Sequence, residues 1–261
     1  MIFLAIFNPI FQKGRTLLEK GRTLSNLGAL PAKPIFCYHQ DMKTAQNNYA
    51  FIDAANLFYG GEKSLGWKID YQKLLRYLKD KYKISRALYF GGVEIHRFKF
   101  DYMDNDAVSL IELEKYLSEL IKKDGGKLSE AELILLGRHL QRIRFYLKLD
   151  KFGYEMHLKP VKLYDQDDGS TKKKANCDVD MAFWLMKERD NFDRALILSG
   201  DGDFLPVLKY LRNHNKEILI LSRGPRTARE IRQFAGAHFR DFEYLKYLLK
   251  MPKKIQRNGL I

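Results

Sequence analysis

The stretch "LILSGDGDFLPVLKYLRNHNKEILIL", Leu196 to Leu221, decides the fold. "LIL" reads as the end of a buried strand, "FLPVLKYLRNH" has the spacing of a helix, and "EILIL" is again almost wholly apolar. A strand, a helix and a second strand, with strands too apolar to face water on either side, form one unit of a parallel sheet covered on both faces. At the lip of the first strand stand Asp201 and Asp203, separated by Gly202. Two carboxylates this close repel each other and border a low-dielectric interior, so compensating charge is expected beside them.

The same alternation extends outward. "YAFIDAANL" from Tyr49 reads as a buried strand followed by a turn, and "DYQKLLRYLKDKY" as a helix with Asp70 at its N-cap and Leu74, Leu75 and Leu78 on one face. "SRALYFGG" is a strand closed by Gly91 and Gly92, and "YEMHLKPVKLY" from Tyr154 a third strand. "DVDMAFWLMKER" is a helix whose buried stripe is expected at Val179, Ala182, Phe183 and Met186; "TAREIRQFA" is a helix with Thr227 at its N-cap. Between Asp101 and Asp150 the alternation is interrupted by two helices. The first ends in "KKDGG", and the second opens with Ser129 and Glu132 in capping-box spacing. They form an antiparallel hairpin inserted at about 103–150, and their aliphatic residues are assigned to packing.

Composition sets the outer limits. With 261 residues and 46% hydrophobic content the chain buries a substantial core, assigned to one domain over 47–245. Residues 1–46 read as an N-terminal extension, since a domain beginning near Met42 loses no identifiable element; 246–261 read as a basic tail. The formal charge of +14 points to a polyanionic partner, although much of the excess lies in these two ends. Two cysteines, Cys37 and Cys177, make neither a disulfide framework nor a zinc cluster, which suits a reducing, cytoplasmic setting. The apolar opening "MIFLAIFNPIF" is too short to span a bilayer and has no basic residues before it, so no membrane attachment is expected.

In an open parallel sheet, ligands bind beyond the carboxyl ends of the strands. There the sequence places Asp53, with Asn56 three residues on, and the Asp201/Asp203 pair, while Asp178 and Asp180 open the helix between the third and fourth strands. Each has a simpler reading: Asp53 as a strand end, Asn56 as a turn residue, Asp203 or Asp178 as a helix cap. Their convergence on one sheet edge favours a shared site. Mg2+ or Mn2+ suits hard oxygen ligands, takes one or two carboxylates and keeps waters for the rest, and supports phosphodiester hydrolysis. At about 100° per residue, Asp178 and Asp180 point roughly 200° apart, so Asp178 is assigned inward and Asp180 to a fringe or structural role. Asp201 is preferred to Asp203 as a ligand, because Asp203 also suits a helix cap. Ser199 is placed to hydrogen-bond the loop, with no histidine nearby to make it a nucleophile.

"FIDAANL", "KKKANCDVDMAF" and the opening stretch together resemble the NYN domain family, a branch of the PIN-like nucleases, over roughly residues 49–245. The resemblance implies an α/β, three-layer PIN-like fold with a mainly parallel central sheet of order 3-2-1-4-5, and metal-dependent ribonuclease activity. By position, Asp53, Asp178, Asp201 and Asp203 are then the acidic centre holding the metal, with Asn56 and Ser199 in support. Two positions depart from the family pattern: Trp184 and His238 stand where many members have aspartate.

The expected function is that of an endoribonuclease using metal-activated water on single-stranded or structured RNA. Lys172, Lys173, Lys174, Arg223, Arg226 and Arg229 are the candidate phosphate-binding residues, and Tyr59 and Trp67 the candidate stacking rings. The rival is a non-catalytic RNA-binding or scaffold protein whose hairpin meets a protein partner or a second copy. A haloacid-dehalogenase-type phosphatase fits less well, because Leu205 stands where that family needs a hydroxyl.

Overall fold

Successive residues of a strand face opposite sides of the sheet, and here both sets are apolar. β1 (Asn48–Asp53) is buried along its whole length. After a π-helical segment, Asn56–Lys63, come α1 (Tyr71–Tyr82) and β2 (Ile84–Val93), then α2 (Leu110–Asp124), α3 (Glu130–Phe152) and β3 (Glu155–Pro160). β4 (Lys162–Asp165) and β5 (Thr171–Lys174) precede α4 (Cys177–Lys187), β6 (Arg194–Leu198), α5 (Leu205–Asn213), β7 (Glu217–Ser222), α6 (Arg229–Ala235), β8 (Phe239–Asp241) and α7 (Lys246–Leu249). This computed structural model describes residues 46–105, 107–165, 171–175 and 177–252, with backbone alone for 59–62, 124, 163–165 and 171–174. The expected N-terminal extension, the side chains of Tyr59 and Lys172 to Lys174, and the chain from 253 onward lie outside what is described.

The six-stranded sheet has the order β3-β2-β1-β6-β7-β8, with every pair parallel. Counted along the sheet strands alone this is 3-2-1-4-5-6, the expected PIN-like order with one further edge strand. Ala50, Ile52, Ala87, Tyr89, Leu196 and Leu198 face α1, α2 and α3 in one core cluster. Tyr49, Phe51, Leu88, Phe90, Ala195 and Ile197 face α4, α5 and α6 in the other. Each fully buried side chain of this size contributes about 1.5–3 kcal/mol. The helical hairpin therefore supplies one of the two helical layers, with Leu113, Leu117, Leu136 and Ile143 in the shared core. Asp70 caps α1, and Ser129 with Glu132 forms the capping box of α3. Among the described residues no helix is long and apolar enough to cross a membrane.

Four expectations need correction. The third strand stops at Pro160, because β2 ends at Val93, its register partner, and leaves the chain without a neighbour. The residues beyond form an antiparallel ribbon, β4 with β5. On α4 the buried residues are Met181 and Leu185, whereas Val179 and Phe183 are more than half exposed. The run is apolar nearly all round, so periodicity alone did not identify the face that meets the sheet. Thr227 caps no helix; its hydroxyl donates to the Arg223 carbonyl, 2.8 Å, and pairs with Ser222 Oγ, 2.6 Å. Finally, the fold continues past 245: Leu249 is fully buried, and Met251 N donates to the Lys68 carbonyl.

Candidate active site

Asp53 ends β1 on the side of the sheet that faces α4, and it is 5% exposed. Its Oδ1 accepts from the backbone N–H of Asn56, 3.0 Å, and its Oδ2 accepts from the Ser199 hydroxyl, 3.0 Å. Ser199 follows β6, the neighbouring strand, and its Oγ accepts from Asp201 N, 3.2 Å. Asp201 Oδ1 in turn accepts from Asp203 N, 3.0 Å. One hydrogen-bonded line thus joins Asp53, Ser199, Asp201 and Asp203 across two strand ends. The cap expectation is reversed in the process: Asp201 is the N-cap of the short 3-10 turn Gly202–Phe204, and Asp203 is exposed.

Burial is the main reason the Asp53 carboxyl is raised to about 6; the Asn56 N–H opposes the shift, Asp178 adds to it, and Ser199 opposes it. The Cys177 thiol is pushed up to about 12, by burial first and then by the charges of Asp178, Asp53 and Asp180. Asp178 is exposed at the start of α4. Asp180 forms an ion pair with Lys159 on β3.

The outlying candidates separate clearly. Asn56 acts on Asp53 through its backbone. Trp67 is 6% exposed and belongs to the core, so it offers no ring to a base. The Arg223 guanidinium is engaged within the fold: its Nη1 donates to Asp241, 3.0 Å, and Glu243, 2.5 Å, and its side chain is largely buried. Arg226 and Arg229 are exposed. Lys172, Lys173 and Lys174 form β5, the second strand of the ribbon. His157, on β3, stacks on Phe90 and bonds Glu155; burial holds its pKa below the usual imidazole range. At the two departures from the family pattern, Trp184 packs against His157 at 4.3 Å, and His238 lies half-exposed beside Glu217.

Glu230 escaped the sequence reading. A side chain on Gly202 would collide with its carboxylate, so this acid lies directly over the Asp201–Asp203 turn. The paired glycines of "SGDGD" were the available signal, since glycine marks places where another chain segment approaches closely. At Gly200 an added Cβ would stand 2.8 Å from Thr227 Oγ1 and 2.9 Å from its Cα, while Ala228 N donates to the Gly200 carbonyl, 2.8 Å. Gly200→Ala is therefore expected to destabilise the protein by roughly 1–3 kcal/mol. Gly126→Ala, where a Cβ meets nothing within 4 Å, is the control in parallel thermal melts.

The donor set is carboxylate oxygen, which suits Mg2+ or Mn2+. Among the described residues no three His, Cys, Asp or Glu side chains converge closely enough to enclose a metal ion.

Comparison with known proteins identifies the family. The NYN domain model matches residues 49–243. Low amplitude and bright protein LabA of Synechococcus elongatus is 23% identical over 186 residues, which cover 70% of this chain and 76% of that protein. A crystal structure of a Vibrio parahaemolyticus protein of unknown function superposes with a TM-score of 0.49 at 17% identity, covering 78% of this chain and 96% of the other. The T5 D15 protein, co-crystallised with metal ions, has a TM-score of 0.38 at 16% identity, over 72% of this chain and 59% of its own. Both structural likenesses are too distant to bear on activity.

Proposed function

The chain belongs to the NYN domain family, and from that premise we propose that it is a divalent-metal-dependent endoribonuclease with Asp53, Asp178, Asp201 and Asp203 as its acidic centre. The observation that carries this reading is Asp53: a buried carboxylate, raised to about 6 and beside a second acid, is costly to the fold. Such a group is explained by a cation it serves. Asp53, Asp178, Asp201 and Asp203 are the carboxylates among which one or two would hold Mg2+ or Mn2+, with water supplying the remaining positions. When bound, the ion supplies charge stabilisation at a phosphoryl oxygen and a more acidic water.

The remaining work belongs to the chain. Ser199 and the Asn56 N–H fix both oxygens of Asp53, so its orientation costs nothing further when substrate arrives. The Asp201 N–H holds Ser199 in turn. Arg226 and Arg229, exposed on the segment after β7, together with the lysines of β5, provide the positive charge for the RNA backbone.

The test uses labelled single-stranded RNA with Mn2+, Mg2+ or EDTA. Internal cleavage is expected with metal and none in EDTA, and Asp201→Asn should lower the rate on the order of a hundredfold. Equal cleavage by the wild type and Asp201→Asn overturns the assignment. Binding without cleavage in every metal supports the non-catalytic reading instead.

A further inference from the structure

We propose that the β4–β5 ribbon and the loop from Arg97 to Asn105 form a binding track for single-stranded RNA, with Tyr102 as a stacking platform for a base and Lys162 beside it for a phosphate. This rests on the RNA reading above but uses none of the acidic residues. Tyr102 is 50% exposed, Phe100 meets its ring edge-on at 4.9 Å, and Lys162 Nζ sits over one face of the ring, 4.6 Å from its centroid. The ring borders a depression of about 730 Å³ lined by Lys99, Phe100, Asp101, Tyr102, Met103 and Asn105.

The loop is held in shape from within. Asp101 Oδ1 accepts from Met103 N, 2.8 Å, and its carbonyl accepts from Asn105 Nδ2, 3.2 Å. A fixed, exposed ring lowers the ordering cost of binding. An aromatic face with a cation beside it is the combination that binds unpaired nucleotides with little regard to sequence.

The ribbon adds charge and direction. Its register sets Lys162 opposite Lys174, with Lys172 and Lys173 in the same short strand. The ribbon is anchored at the carboxyl end of β2, where Val161 N donates to the Val93 carbonyl, 2.9 Å, and a Cβ on Gly92 would stand 2.7 Å from Ala175 Cβ. From Lys174 the chain takes only four residues to reach Asp178, so their Cα atoms lie within roughly 14 Å. RNA on the track is thereby delivered to the acidic centre.

The test measures binding of a fluorescent single-stranded RNA to protein carrying Asp201→Asn, which suppresses turnover, across a salt series. Adding Tyr102→Ala should weaken binding roughly 5- to 100-fold, and Tyr102→Phe should restore it. Lys162→Ala should reduce the slope of log affinity against log salt by about 0.7. Unchanged affinity and slope in both alanine variants overturn the track. If the wild type cleaves RNA and those variants still bind normally, the track alone falls. If Tyr102→Ala weakens binding in a protein that never cleaves, the track stands and the nuclease reading falls. A protein that binds no RNA overturns both.

Discussion

Asp53→Asn is expected to remove RNA cleavage while making the protein more stable. The activity side follows from position. Asp53 is the buried member of the acidic group, and loss of its charge should cost several kcal/mol of transition-state stabilisation, on the order of a thousandfold in rate or more. The stability side follows from its titration. Its pKa is about 6 in the folded protein against an ordinary side-chain value of 3.8. The folded state therefore holds this proton more tightly than the unfolded state. Stability attributable to Asp53 is highest below pH 3.8, falls as pH rises through that window, and reaches its full penalty above about 6. At neutral pH in the absence of metal the penalty is up to about 3 kcal/mol, which the neutral amide escapes. The variant should melt on the order of 5 °C higher at pH 7.5, and the two proteins should converge near pH 4. Thermal melts in EDTA across that range check the sign, and a variant less stable at neutral pH refutes it.

Arg223→Ala is expected to fail in a different way. The guanidinium bridges Asp241 at the end of β8 and Glu243 beyond it, and Gly224 N donates to the same Asp241 oxygen, 3.0 Å. Removing the arginine leaves a mostly buried carboxylate without its countercharge, which costs about 3 kcal/mol. The melting temperature should drop by roughly 6–12 °C. RNA affinity of the folded protein should keep its salt dependence. Arg226→Ala should show the converse: stability within about 0.5 kcal/mol of wild type and a salt slope reduced by about 0.7. Melts and salt titrations on both proteins separate the roles, and the opposite pattern would reassign Arg223 to the RNA surface.

That contrast shows where the sequence was legible. Features carried by adjacent residues could be read directly: the Asp70 cap, the Ser129–Glu132 box and the apolar strands that make a parallel sheet. Sheet logic set Asp53 and the Asp201/Asp203 pair at one sheet edge, and the family resemblance added Ser199, whose hydroxyl meets Asp53 at 3.0 Å. Features set by distant partners could not be read. Arg223 looks like a loop cation until the end of β8 brings Asp241, 18 residues on, to it. The length of β3 depends on where β2 ends. Whether Asp201 or Asp203 caps the turn depends on where the first 3-10 hydrogen bond forms, a displacement of two residues that composition does not encode.

The two sides of the sheet have different prospects for change. Asp53 and Ser199 fall in the odd-numbered series of their strands, with Phe51 and Ile197, so the acidic group shares a side with α4, α5 and α6. The hairpin covers the opposite side and reaches the strand ends through Tyr146, whose hydroxyl donates to the Gly92 carbonyl, 3.0 Å. Substitutions on the outer faces of α2 and α3 are thus expected to leave the proposed acidic centre in place, so those helices can change in outline and charge without rebuilding it.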